Sequence, residues 1–298
     1  MITNHYGEFA ALLVAIFWTI TALAFESATK KVGSIAVNII RLVIGLLFLS
    51  TLTLILRGKF LPLDASMHNW IWLGVSGLIG FVIGDLFLFK SYSIVGSWFS
   101  MLMMTLAPPI AAIFGFIILG ERMELKSLLG MSLTITGIGL TIFSKKSKNE
   151  KFSLNKPAKG ILYALIGAFG QGLGIVFSKF GMAEYDPFAS TQIRIIIGLI
   201  GFGIIVSFAG RWNSIFSAVK NRKGMIGISI GSFFGPFLGV SFSLIAVKYT
   251  QTGIAATIMA IVPILIIPPS ILFFKHKITL REMIGAVLGV VGVMLFFI

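Results

Sequence analysis

Few residues in this chain have side chains able to do chemistry, and most of those few sit in apolar surroundings. Asp85 interrupts the run "GFVIGDLFLF". A carboxylate there is costly unless it faces protein or water. It lies four residues after Phe81 and seven before Tyr92. On an α-helix that spacing puts all three on one face, where an acid, a phenol and a ring suit an amphipathic ligand. The competing reading is a structural Asp held by a hydroxyl or by Lys90. Trp18 and Gln171 add a stacking face and a donor–acceptor amide within other apolar runs. Met104 and Met259, with Met101 and Met103, offer either an adaptable lining or plain packing. Arg41 and Arg194 stand near the beginnings of apolar runs, where a guanidinium snorkels or pins a neighbouring loop, so anchoring is their expected role. Asp85 and Glu26 are the candidates to carry a coupling proton.

Enzymatic chemistry has little to work with. There is no G-x-x-x-x-G-K-[ST] phosphate loop and no H-E-x-x-H. His5, His68 and His276 are scattered without metal-ligand spacing. No catalytic residue, metal site or cofactor site is read from the sequence.

The elements that must position these residues are membrane helices. Hydrophobic residues make up 57% of the 298 positions and charged residues 11%, against roughly 45–50% and 25% in soluble domains. The expected fold is an all-α integral membrane protein. Apolar runs of about the 20 residues needed to span a bilayer fall at 8–29, 36–56, 69–90, 95–119, 126–144, 160–179, 188–209, 224–247, 252–274 and 281–298. A basic linker, 145–159, separates two five-helix halves, 1–144 and 160–298. The formal charge of +14 resides in short connections, which suits anionic lipid headgroups and leaves no soluble face for nucleic acid. No Lys or Arg precedes the first apolar run, which argues against a cleaved signal peptide.

The halves repeat. A displacement of 153 sets Gly7 on Gly160, Trp18 on Gln171, Glu26 on Lys179, Arg41 on Arg194 and Gly45 on Gly198. A displacement of 155 sets Gly84 on Gly239, Asp85 on Val240, Pro108 on Pro263, Gly130 on Gly285 and Gly137 on Gly292. With five helices per copy, the second copy enters the bilayer from the opposite side, making an inverted repeat around a central cavity. Proline within an apolar run breaks a helix and survives where neighbours or cavity water satisfy the freed carbonyl. Pro108 and Pro263, together with Pro236, are therefore expected to bend cavity-lining helices, with Pro109 accentuating the first bend.

The stretch "GDLFLFKSYSIVGSWFSMLMMTLAPPIAAIFGFIILGERMELKSLLGMSLTITGIGL" resembles the end of an EamA-type domain of the drug/metabolite transporter superfamily. "TGIAATIMAIVPILIIPPSILFFKHKITLREMIGAVLGVVGVMLFF" resembles a second copy that keeps the proline and glycines but has Lys275-His276 in place of Gly120-Glu121. Glu121 matches the family's turn acid and is expected to tie the fourth and fifth spans together. The resemblance implies two EamA-type repeats and a secondary transporter of small amphipathic metabolites such as amino acids, exporting by alternating access. A lipid-linked headgroup flippase and a non-transporting receptor or enzyme are the alternatives. The implied partners are a small-molecule substrate and the lipid bilayer; the sequence leaves the oligomeric state open, a monomer among the options. Lys and Arg concentrate in the connections after odd-numbered spans. The positive-inside rule therefore places the linker in the cytoplasm and both termini outside a plasma (inner) membrane.

Overall fold

A computed structural model of the chain describes residues 5–88, 90–91, 94, 103–144, 158–265 and 280–298. Among these residues every regular element is helical: α1 Tyr6–Val32, α2 Ser34–Arg57, α3 Met67–Leu88, α4 Ala107–Leu119, α5 Leu125–Ser144, α6 Ala158–Met182, α7 Pro187–Phe208, α8 Trp212–Lys220, α9 Arg222–Tyr249, α10 Thr252–Met259, α11 Val262–Leu265 and α12 Leu280–Met294. Six of them (α1, α2, α3, α6, α7 and α9) are long and apolar enough to cross a membrane. Shorter apolar helices occupy 107–119, 125–140, 252–265 and 283–294. Most of the expected linker, 145–157, and parts of the fourth and ninth expected spans lie outside the described residues.

Local chemistry sets the helix ends. Gly33, at φ +82°, separates α1 from α2. Gly58 and Gly120 close α2 and α4 in the left-handed region that glycine enters without a Cβ clash. Ser66 and Asn69 form a reciprocal capping box at the start of α3. The Asp186 carboxylate accepts from the Ala189 N–H at 2.9 Å to start α7.

The repeat is visible element by element. Ser34 and Pro187, which begin α2 and α7, are 153 apart, whereas Met67 and Arg222, which begin α3 and α9, are 155 apart. The two-residue insertion therefore falls in the connection between each copy's second and third helices. In the second copy this connection contains α8, a helix the hydropathy pattern did not suggest. It buries Ile215 and Ala218 and exposes Trp212, Phe216 and Val219, the profile of a helix lying in a membrane interface.

Repeat-mate helices pair with each other and run antiparallel. In α2 and α7, Gly45 meets Ile195, Gly198 meets Leu42, and Gln192 donates to Ser50 at 3.0 Å. Rising numbers on one helix meet falling numbers on the other. In α5 and α12, Gly130 meets Gly292, and Gly137 meets Gly285 and Gly289. A Cβ on Gly137 would overlap the partner backbone, so the small residues permit this crossing. Each of these glycine contacts maps onto its mate when the copies are exchanged: Gly45–Ile195 onto Gly198–Leu42, and Gly130–Gly292 onto Gly137–Gly285. The two copies are thus related by a pseudo-two-fold axis. The copies also interlock, because α1 packs on α9 and α6 packs on α3.

Candidate functional site

Asp85 lies at the junction of α3, α2 and α6. It is buried, with 7% of its surface exposed. Arg41 Nη2 donates to its Oδ2, and Gln171 Nε2 donates to its Oδ1 at 2.8 Å. Gln171 also reaches the Gly80 carbonyl at 3.3 Å. Of the two sequence readings, the structural one named the wrong partner: Lys90 sits over the Phe87 ring, 5.6 Å from its centroid, and Asp85 pairs with arginine instead. Such a pair tolerates burial only because hydrogen bonds accompany the opposite charge.

Arg194 completes the centre. Its guanidinium lies 4.8 Å from the centroid of the Phe81 ring, a cation–π arrangement. Arg41 is similarly placed 5.5 Å from Phe25. The two arginines, 9% and 5% exposed, do not snorkel to a membrane face or pin loops as expected. Both turn into the helix packing because the single carboxylate and the aromatic faces lie there.

The backbone around this centre departs from α geometry. Residues Leu78–Gly84 of α3 and Phe233–Gly239 of α9 are π-helical, and the two segments are repeat mates. The wider turn changes the spacing on which the shared face of Phe81 and Asp85 was argued, yet both still reach the centre, one under Arg194 and the other against Arg41. Tyr92 lies outside the described residues. Single π turns inside helices concentrate at functional sites. Pro236 lies within the second π segment and packs on Gly45, as Phe81 packs on Gly198.

Trp18 and Gln171 are indeed equivalent, but each serves a glycine. Gln171 covers Gly84 at the end of the first π segment, and Trp18 covers Gly239 at the end of the second. Trp18 also packs against an apolar cluster that includes Met259, itself buried. Met103 and Met104 are half-buried; Met101 lies outside the described residues. Phe81, Asp85, Gln171, Arg41 and Arg194 are thus brought together, while Trp18 and Met259 belong to a separate cluster.

The prolines act differently from the expected mid-helix kink. Thr105-Leu106 and Ala260-Ile261 form turns, and Pro108 and Pro263 are each the second residue of the helix that follows. A proline in the first helical turn sacrifices no intrahelical hydrogen bond. Both are breaks between helical segments at matched positions, with Pro109 following Pro108 inside α4.

A second polar group occupies the face where α1 begins and α6 and α9 end. Lys179 donates to Glu121 at 2.6 Å and to the Thr250 carbonyl at 2.7 Å. Glu121 accepts from the Thr252 hydroxyl at 2.6 Å and its N–H at 2.8 Å, and Thr250 donates to Glu8 at 2.7 Å. Lys179, Glu121, Thr250 and Glu8, with Glu124 and Lys248, surround a cavity of about 440 Å³. Glu121 therefore joins the α4–α5 turn to α6 and α10, rather than α4 to α5. Glu26 lies on α1, and its side chain is outside the described set. On the same face Asp64 receives Arg57 at 2.7 Å, Lys59 at 3.1 Å and the Tyr185 hydroxyl at 3.0 Å.

One signal for the Asp85–Arg41 pair was present in the sequence. A buried carboxylate in an apolar helix needs a cation, and two repeat-matched arginines were available in neighbouring spans. The π segments carried no recognised signal.

Two antiparallel helical copies interlocked around a buried charged centre define a multi-pass membrane protein built by duplication. The EamA-like transporter family model matches residues 5–143 and again 158–298; the chain belongs to that family and is a membrane transporter. It is 21% identical to a protein of Archaeoglobus fulgidus named "uncharacterized transporter", over 97% of this chain and 96% of that one. A Clostridium kluyveri protein of the same description is 26% identical over 60% of this chain and 56% of its own length. A solved crystal structure, 16% identical, superposes with TM-score 0.72 over 98% of this chain and 96% of that chain, which establishes the shared fold.

Proposed function

We propose that this protein is a secondary transporter that moves small amphipathic metabolites, amino acids or related compounds, by alternating access, with export as its direction. The observation that carries the reading is the pairing of matched breaks with a pseudo-two-fold axis. Each copy has one π segment and one proline-started break, and mate helices cross antiparallel between them. Two packings related by exchange of the copies would open opposite faces with little change inside each copy. Phe81, Asp85 and Gln171 form the core of the substrate site. Trp18, Met104 and Met259 line its approach. Asp85 is the group whose protonation would release Arg41, which makes it the stronger candidate for proton coupling; Glu26 is the second.

Pro108, Pro236 and Pro263 mark the segments that rearrange. Residues 1–144 and 160–298 act as the two moving units, joined by the linker 145–159. By its basic residues, including Arg211, Lys220, Arg222 and Lys223 beside α8, the face carrying α8 and the linker is assigned to the cytoplasm of a plasma (inner) membrane. The test is a proteoliposome flux screen across amino acids and other small metabolites, with and without a pH gradient. Saturable flux of one chemical class above that of empty vesicles supports the reading. Its absence across the screen, with correctly folded protein, rejects it.

A further inference from the structure

The charged centre is unbalanced. Two guanidiniums, Arg41 and Arg194, converge on one carboxylate, and that carboxylate bonds to Arg41 and Gln171 rather than to Arg194. Arg194 is 5% exposed, and its Nε is buried without a hydrogen-bond partner. Among the described residues its guanidinium donates no hydrogen bond; a ring face, Phe81, is what it meets. A buried cation without an anion is destabilising, because low-polarity surroundings replace its hydration and no partner repays the loss. A Cβ on Gly80 would come within 3.3 Å of Arg194 Nη2, and Gly174 packs closely against Gly80. Glycines thus border the guanidinium where larger side chains would cover it.

We propose that Arg194 is the anchor for an anionic group, a carboxylate, on the transported solute. This deepens the transport reading and rests on it. A guanidinium presents paired N–H donors that match a carboxylate fork. One carboxylate also neutralises the one unmatched charge, whereas a phosphate monoester, carrying close to two negative charges at neutral pH, would overshoot it. Phe81 then supports the apolar body of the solute. Asp85 holds Arg41 and prevents the anion from being trapped between two free guanidiniums. A solute amine, where present, finds its acceptors in Asp85 and the Gly80 carbonyl.

The test uses the full-length protein in detergent, with thermal unfolding followed at increasing concentrations of benzoate, L-phenylalanine, phenylalaninamide, chloride or inorganic phosphate. Benzoate and L-phenylalanine are expected to raise the melting temperature, and the amide is not. R194Q is expected to abolish the carboxylate response. R194K, which keeps the charge and loses the fork, is expected to weaken the apparent affinity about tenfold. D85N, which leaves two cations unmatched, is expected to strengthen it, a result that a purely structural arginine would not give.

Equal stabilisation by phenylalaninamide, or an unchanged carboxylate response in both R194Q and R194K, overturns the proposal. Chloride or phosphate matching benzoate would assign the site to an inorganic anion and overturn the solute carboxylate. Flux of phenylalaninamide without any carboxylate binding would remove this inference and leave the transport reading standing. Carboxylate binding through Arg194 without flux of any solute would overturn the transport reading and, with it, the assignment of the bound anion to a transported solute.

Discussion

Arg41 of α2 and Asp85 of α3 form a buried ion pair within one copy of the repeat, and the corresponding residues of the other copy are Arg194 and Val240. Both copies carry the arginine and only the first carries the acid. The helix positions are symmetric while the electrostatics are one-sided. The surplus charge is the feature that most sharply distinguishes this centre from a merely structural salt bridge.

Breaking the pair should be costly. Removing one partner of a buried ion pair strands the other, at about 3–5 kcal/mol. R41Q and D85N are each expected to lower stability on that scale, measured by denaturant unfolding in detergent. The double variant should be less destabilised than the sum of the singles, because neither charge is left to strand the other. Additive losses would show that the two groups are not coupled.

The crossing of α5 and α12 makes a steric prediction. Gly137 meets the backbone of Gly285 and Gly289, whereas a methyl group added at Gly139 would meet nothing within 4 Å. Gly137→Val is expected to destabilise by at least the ~1–3 kcal/mol of an overpacked core. Gly139→Ala is expected to be neutral or to stabilise by about 0.5–1 kcal/mol through helix entropy. Thermal unfolding of the two variants side by side checks the contrast.

Much of this architecture was legible in the sequence, for identifiable reasons. Hydropathy revealed the all-helical membrane class and six long apolar helices because lipid demands them, and the displaced glycines, arginines and prolines revealed the repeat because packing constrains the same positions twice. The antiparallel relation followed from counting helices. What stayed hidden was local. Pro108 and Pro263 read as kinks, since sequence alone does not show that turns at Thr105-Leu106 and Ala260-Ile261 precede them. The π segments raised no signal because one wide turn hardly alters an apolar pattern. Arg41 looked like an anchor because its distance along the helix was visible and the direction of its long side chain was not.

Asp64 gives a pH prediction outside the membrane spans. Burial pushes its pKa up, but the hydrogen bonds from Lys59 and Tyr185 and the charge of Arg57 outweigh it and hold the carboxyl down at about 2, from 3.8. A depressed folded-state pKa contributes stability that is fully present above the unfolded value. That contribution is lost as pH falls from about 4 toward about 2. Wild type should lose stability in this window relative to D64N, whose side chain does not titrate. Parallel melting curves from pH 5 to 2 provide the check, and identical slopes would refute the assignment.

Lys179 ties α6 to Glu121 and to the Thr250 carbonyl, holding one face together. K179Q should loosen that face. The chain has no cysteine, so Ile254→Cys, which lines the adjoining cavity, supplies a single reactive thiol. Its modification by a polar maleimide is expected to run severalfold faster with K179Q than without it. Equal rates would mean that the ion pair does not close this face.

Alternating access requires that the Asp85 centre be reached from each side of the membrane in turn. The most direct measurement uses Gln171→Cys, again a lone thiol, in proteoliposomes of known orientation treated with a membrane-impermeant thiosulfonate. Modification is expected from either face when reagent is supplied to that face alone, with protection by a transported solute from both. Modification from one face only, or from neither, in protein that remains folded would contradict it.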